Sequence, residues 1–127
     1  MKLMTYGTLQ SGHGNNRLLY GAEFLGPAIT VKPYVLFHCG FPKAVPFSID
    51  PEKYPLLPVI GEVYEVDGSQ LARCDMLEGH PSWYRREPIY ARLNGAVEEV
   101  HIYEMNEWQE RAPLCDIVDN KYYRWAR

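Results

Sequence analysis

Apolar and polar residues alternate with the two-residue period of β-strands along most of the chain, and one short segment carries a helical stripe instead. Lys2 to Tyr6 reads as a strand that runs into Gly7. Gly12-His13-Gly14-Asn15-Asn16 predicts irregular backbone, followed by a short helical turn over Arg17 to Tyr20. Ala22 to Gly26 begins a further strand or edge segment, and Ile29 to His38 is β-rich. Pro33 has no N–H for a ladder, which places that second strand at an edge or a bulge. From Phe41 to Pro58 the chain carries five prolines, at positions 42, 46, 51, 55 and 58. That density predicts a long surface loop, the kind that often carries function. Val59 to Val66 is a strand ending at Asp67-Gly68. Ser69 is then placed to cap a helix over Gln70 to Leu77, which Gly79 stops and Pro81 breaks. Ile89 to Leu93 and Val97 to Tyr103 flank Asn94-Gly95, a strong hairpin signal. The tail, Asn106 to Arg127, has weak periodicity, and its aromatics Tyr122, Tyr123 and Trp125 are expected to pack on the core.

About five to seven strands with one clear helix predict a barrel or a sandwich, and periodicity does not choose between them. The 127 residues contain no linker, repeat or low-complexity run, so a single domain over 1–127 is expected. Ten tyrosines suit both strands and a semi-polar cavity. A net charge of −3 argues against a nucleic-acid partner. The adjacent Arg85 and Arg86 point to opposite faces of a strand and make no basic patch. Apolar stretches such as Tyr34 to Phe37 fall far short of a membrane span, and the N-terminal residues lack a signal-peptide core. Three scattered cysteines, Cys39, Cys74 and Cys115, read as reduced thiols, and a cytoplasmic location is expected. His38-Cys39 has no metal-ligand spacing around it, so no metal is expected.

The helix carries the candidate chemistry. At about 100° per residue, Glu78 falls between Leu71 and Cys74, inside the apolar stripe, with Asp75 at its margin. Burial raises the pKa of a carboxyl group, and the negative end of the helix dipole acts in the same direction. Both move Glu78 toward the range where an acid/base catalyst works best. Read from pattern alone, a glutamate at a helix end is more often a solvated surface group than a catalyst.

Ordered matches add a second line. Tyr6-Gly7-Thr8-Leu9 follows the first strand, and Gly12 and Asn15 stand at G-x-x-N spacing. Phe41-Pro42, Gly61-Glu62-Val63-Tyr64-Glu65-Val66, Asp75-x-x-Glu78-Gly79 with Tyr84-x-Arg86, and Val100-His101-Ile102-Tyr103 follow in order. In this the chain resembles the gamma-glutamylcyclotransferase-like family, most closely its gamma-glutamylamine cyclotransferase branch. The resemblance implies an α+β fold built on a mixed-sheet β-barrel with few peripheral helices. It also implies a cavity at the Tyr6-Gly7-Thr8-Leu9 loop, whose backbone grips a glutamyl group, and Glu78 as catalytic acid/base. Read from their residues, Tyr84 is equally a hydroxyl donor near Glu78 or a strand-edge aromatic, and Tyr6 equally frames the pocket or belongs to the core. No metal or organic cofactor is implied.

The implied reaction is a lyase-class intramolecular acyl transfer that turns a gamma-glutamyl amine or peptide into 5-oxoproline and a free amine. Arg86 reads as one half of a structural ion pair, and Asn15 as a residue that satisfies loop backbone. Two alternatives stand beside this reading. One is a non-catalytic module that binds a glutamyl-like small molecule in the same cavity. The other is a hydrolase using Cys39 with His38, which strand geometry disfavours because neighbours face opposite ways.

Overall fold

The computed structural model describes residues 1–125. Strand β1 (Lys2–Thr5) leads to a 3-10 helix (Gly14–Leu19), β2 (Glu23–Thr30), and a hairpin of β3 (Val35–His38) and β4 (Pro42–Val45). Then come β5 (Ile60–Glu65), helix α1 (Gly68–Glu78), a long hairpin of β6 (Arg85–Leu93) and β7 (Ala96–Glu104), and a ribbon of β8 (Asp116–Val118) and β9 (Tyr122–Arg124). Five strands close a barrel in the order β1-β5-β2-β6-β7. Closure is parallel, through Leu3 opposite His101, while the other barrel pairings are antiparallel. This is the mixed-sheet barrel with few helices that the resemblance implied. Among the described residues, no helix is long and apolar enough to cross a membrane.

Alternation sorts the core into two layers. Met4, Ala28, Val63, Ala91 and Val100 share one buried cluster, while Leu3, Tyr64, Cys74 and Tyr103 belong to the other. Consecutive residues such as Leu3 and Met4 serve opposite faces of the same strand, so both faces of β1 are buried. The second layer is where α1 packs. The Asn94-Gly95 hairpin forms as its sequence demands, with nine paired positions from Arg85–Glu104 to Leu93–Ala96.

Several expectations need correction. Ile29 to His38 is not one strand: β2 runs on through Gly26 and Pro27 to Thr30, and β3 starts at Val35. Pro27 stands just past a register shift of β2 against β5, between Phe24 and Gly26, and just before β2 begins to pair with β6 at Ala28, a strand margin where proline is admitted. The proline-rich stretch is not wholly loop, since Pro42 opens β4 opposite His38 at the end of the hairpin. Proline at the first residue of a strand forfeits no essential bond. The tail holds the β8–β9 ribbon, with Tyr123 fully buried and Trp125 nearly so, as its aromatics suggested.

Gly61 is where β5 passes closest to β1. A Cβ at that position would lie 2.2 Å from the carbonyl oxygen of Thr5, a backbone atom that cannot move aside. Gly61→Ala should therefore destabilise the fold by about 2–3 kcal/mol or more. Urea denaturation monitored by circular dichroism will show the lowered midpoint.

Candidate active site

Both ends of α1 are fixed, and this aims its last residue. At the N-terminus the cap is Asp67 rather than Ser69: Asp67 Oδ1 accepts from the Gln70 N–H at 2.7 Å, and Gln70 Oε1 accepts from the Asp67 N–H at 2.9 Å. This capping box starts the helix at Gly68, two residues earlier than Gln70. At the C-terminus Gly79 adopts the left-handed conformation, φ 65°, and its N–H turns back to the carbonyls of Asp75 and Met76. The buried stripe runs through Gln70 and Cys74 to Glu78, whereas Leu77, at 38% exposure, turns toward the cavity mouth.

Glu78 lines a cavity of about 170 Å³ together with Tyr6, Gly7, Thr8, Leu9, Asn15, Phe41, Pro42, Trp83, Tyr84 and Tyr103. Its carboxyl accepts no hydrogen bond from any described residue, and burial alone pushes its pKa up to about 7. The other polar groups nearby are already committed. Tyr6 donates its hydroxyl to the Tyr103 carbonyl at 2.6 Å, and Tyr84 donates to the Pro42 carbonyl at 2.9 Å. Burial, with Glu78 close by, raises the pKa of both phenols. Asp75 is gripped by Arg86 Nε at 2.9 Å, Arg86 Nη2 at 3.1 Å and the Tyr103 hydroxyl at 2.6 Å. Against the upward pull of burial, these partners hold Asp75 below the usual carboxylate range. Two carboxyls three residues apart thus sit in opposite environments.

Facing the helix end is the loop after β1. A Cβ on Gly7 would lie 2.8 Å from Pro42 Cγ, so glycine is what lets this loop lie against β4. Ser11 clamps the loop to the barrel through its N–H and hydroxyl, both donating to Glu62, at 2.7 and 2.8 Å. The Asn16 side chain donates to the Leu9 carbonyl at 2.8 Å. With the loop so held, the backbone N–H groups of Gly7, Thr8 and Leu9 donate to no described residue. A run of unspent N–H groups beside a partnerless carboxyl can bind an anionic or carbonyl oxygen and move a proton in the same space.

The structure brings Glu78, Tyr6, Gly7, Thr8, Leu9 and Tyr84 to one cavity. It also alters two of the residue readings. Tyr84 gives its proton to Pro42, not to Glu78. Asn15 donates to Thr8 Oγ1 at 2.8 Å and lines the cavity, while its neighbour Asn16 serves the loop backbone. Arg86 forms the ion pair expected of it, with Asp75. Trp83 and Tyr103 line the cavity but were not singled out as site residues, although both stand in or beside the matched blocks. Cys39 approaches Gln109 at 4.0 Å, and His38 Nδ1 accepts from the Trp125 indole at 3.0 Å, so the two do not pair. Burial pushes the Cys74 thiol up to about 11 and the Cys115 thiol up to about 12, away from reactive thiolate.

The same barrel occurs in the crystal structure of an AIG2-like protein from Mus musculus, with a TM-score of 0.76 at 22% identity, covering 96% of this chain and 93% of that one. Over residues 3–125 the sequence matches the family described as gamma-glutamyl cyclotransferase, AIG2-like, and the chain belongs to that family. A Methanocaldococcus jannaschii protein provisionally named a gamma-glutamylcyclotransferase is 34% identical over 97 residues, 76% of either chain. The gamma-glutamylaminecyclotransferase of Bos taurus is 34% identical over 101 residues, covering 73% of this chain and 57% of the longer bovine protein.

A raised carboxyl pKa has a stability signature. The folded protein holds the Glu78 proton up to about pH 7, whereas the unfolded chain releases it near 4.5. Stability from this group is therefore fully present below about pH 4.5 and is lost as pH rises through about 7. Glu78→Gln removes the loss, so the variant should become more stable than wild type at pH 8, by as much as ~3 kcal/mol, and the difference should shrink toward pH 5. Denaturation midpoints of both proteins across that range check the sign.

Proposed function

We propose that this chain is a gamma-glutamylcyclotransferase that closes the gamma-glutamyl group of an amine or peptide conjugate into 5-oxoproline, with Glu78 as general acid/base. The observation that carries the reading is the partnerless, half-buried Glu78 carboxyl in a cavity shared with the Gly7–Leu9 loop. Family membership and the names of the relatives support the reaction class.

The chemistry follows from what each group can do. The substrate's α-amine is mostly ammonium at neutral pH and is not a nucleophile. Ionised Glu78 removes its proton, the amine nitrogen attacks the side-chain carbonyl carbon, and a five-membered ring begins to close. The bond from that carbon to the leaving nitrogen then breaks as Glu78 returns the proton to it, and the second proton lost by the new ring nitrogen passes through Glu78 to the released amine, which departs as ammonium. A pKa near 7 suits both halves of this cycle. The loop N–H groups are suited to the α-carboxylate or to the oxyanion that develops on the attacked carbonyl. Much of the rate comes from proximity, because nucleophile and electrophile belong to one molecule.

Glu78→Gln should lower kcat for 5-oxoproline release by about two to four orders of magnitude while the circular dichroism spectrum stays unchanged. Undiminished turnover in the variant would refute the assignment. In wild type, kcat/KM should rise with pH through an inflection near 7, because the base acts in its ionised form.

A further inference from the structure

The Glu78 cavity, at about 170 Å³, is smaller than the roughly 300–1,000 Å³ of ordinary ligand sites. It suits the glutamyl end of a conjugate and leaves the departing amine outside. A second, shallower cavity of about 470 Å³ adjoins it, and Thr8 lines both. The walls of this second cavity include Gly12, His13, His38, Gly40 and Trp125. None of these belongs to the acid/base machinery.

The chemistry of that wall is one-sided. The Trp125 indole N–H can only donate, and it donates to His38 Nδ1 at 3.0 Å. The ring proton of His38 therefore resides on Nε2, where it is a donor with no described partner. His13 lies against Trp125 on the same wall, ring centroids 4.9 Å apart. The backbone N–H groups of Gly12 and Gly40 also donate to no described residue. Among the described residues, no aspartate or glutamate lines the cavity, donors are in excess, and no side-chain carboxylate complements a remote ammonium.

Resting on the cyclotransferase reading above, we infer that this second cavity is the leaving-group subsite, and that it selects amines bearing a carboxylate, with His38, oriented by Trp125, as the specificity-determining residue. A gamma-glutamyl amino acid or peptide would then lie across Thr8, its glutamyl end against the Gly7–Leu9 loop and its free carboxylate against His38. A plain alkylamine or diamine conjugate gains nothing from the second cavity.

The test uses two conjugates that differ only by this carboxylate, gamma-glutamyl-alanine and gamma-glutamyl-ethylamide, assayed by 5-oxoproline release. The purified protein should show a KM about tenfold lower for the alanine conjugate, the scale of one hydrogen bond to a charged group. His38→Ala should bring the ratio of the two KM values near one. His38→Gln offers an acceptor to the indole and a donor to the carboxylate, and should keep most of the preference. Equal KM values in the wild type, or a ratio unaltered by His38→Ala, would overturn the subsite while leaving the reaction in place. No 5-oxoproline from either conjugate would remove the reaction reading, and the subsite with it. The wild-type comparison decides the question even if a His38 variant fails to fold.

Discussion

A carboxyl group half removed from water without a partner is costly, and the arrangement around Glu78 is organised to maintain that condition. Three potential partners are close, and each is engaged elsewhere. Tyr6 and Tyr84 spend their hydroxyl protons on backbone carbonyls of other segments. Tyr103, the third, gives its hydroxyl to Asp75, which Arg86 also holds by a two-pronged contact. Removing Asp75 would thus do more than break an ion pair: it would free a phenol in the cavity that Glu78 lines.

The helix and the loop make this possible from opposite sides. The capping box at Asp67 and the left-handed Gly79 fix where α1 begins and ends, so that the side chain two turns beyond Gln70 reaches the cavity. The loop owes its position to Gly7 on Pro42 and to the Ser11–Glu62 clamp. Glu62 belongs to β5, the strand whose Gly61 permits the close approach of β1. One short stretch of β5 therefore governs both its pairing with β1 and the placement of the loop that follows β1.

What could be read from sequence tracks the range of the interactions involved. The β6–β7 hairpin, the Gly79 stop and the inward aim of Glu78 depend on neighbours a few residues apart, and local pattern reveals them. Asp67 displaced Ser69 as the cap because the partner that decides between them is Gln70, whose reach back to the Asp67 N–H is a side-chain choice rather than a periodicity. Strand β4 was hidden by prolines that a hairpin end tolerates. Asn15 reads as the residue that satisfies loop backbone because either asparagine suits a turn, and only the packed loop tells which meets Thr8 and which meets Leu9. That Tyr84 serves Pro42 was beyond reach, since 42 residues separate them. The family resemblance supplied the site residues that geometry alone left open.

The parallel seam between β1 and β7 has a meaning for biogenesis. Leu3 pairs with His101, and the Tyr6 hydroxyl reaches the Tyr103 carbonyl, 97 residues along the chain. As the polypeptide leaves the ribosome, β1 emerges first, yet it gains this neighbour only after β7 has followed it. Until then one border of the nascent sheet lacks its partner, with apolar Leu3 and Met4 at that border. Sequence-distant pairings of this kind form late and slowly. The interval between synthesis of Leu3 and of His101 is thus the period in which the growing chain is most open to association with others of its kind.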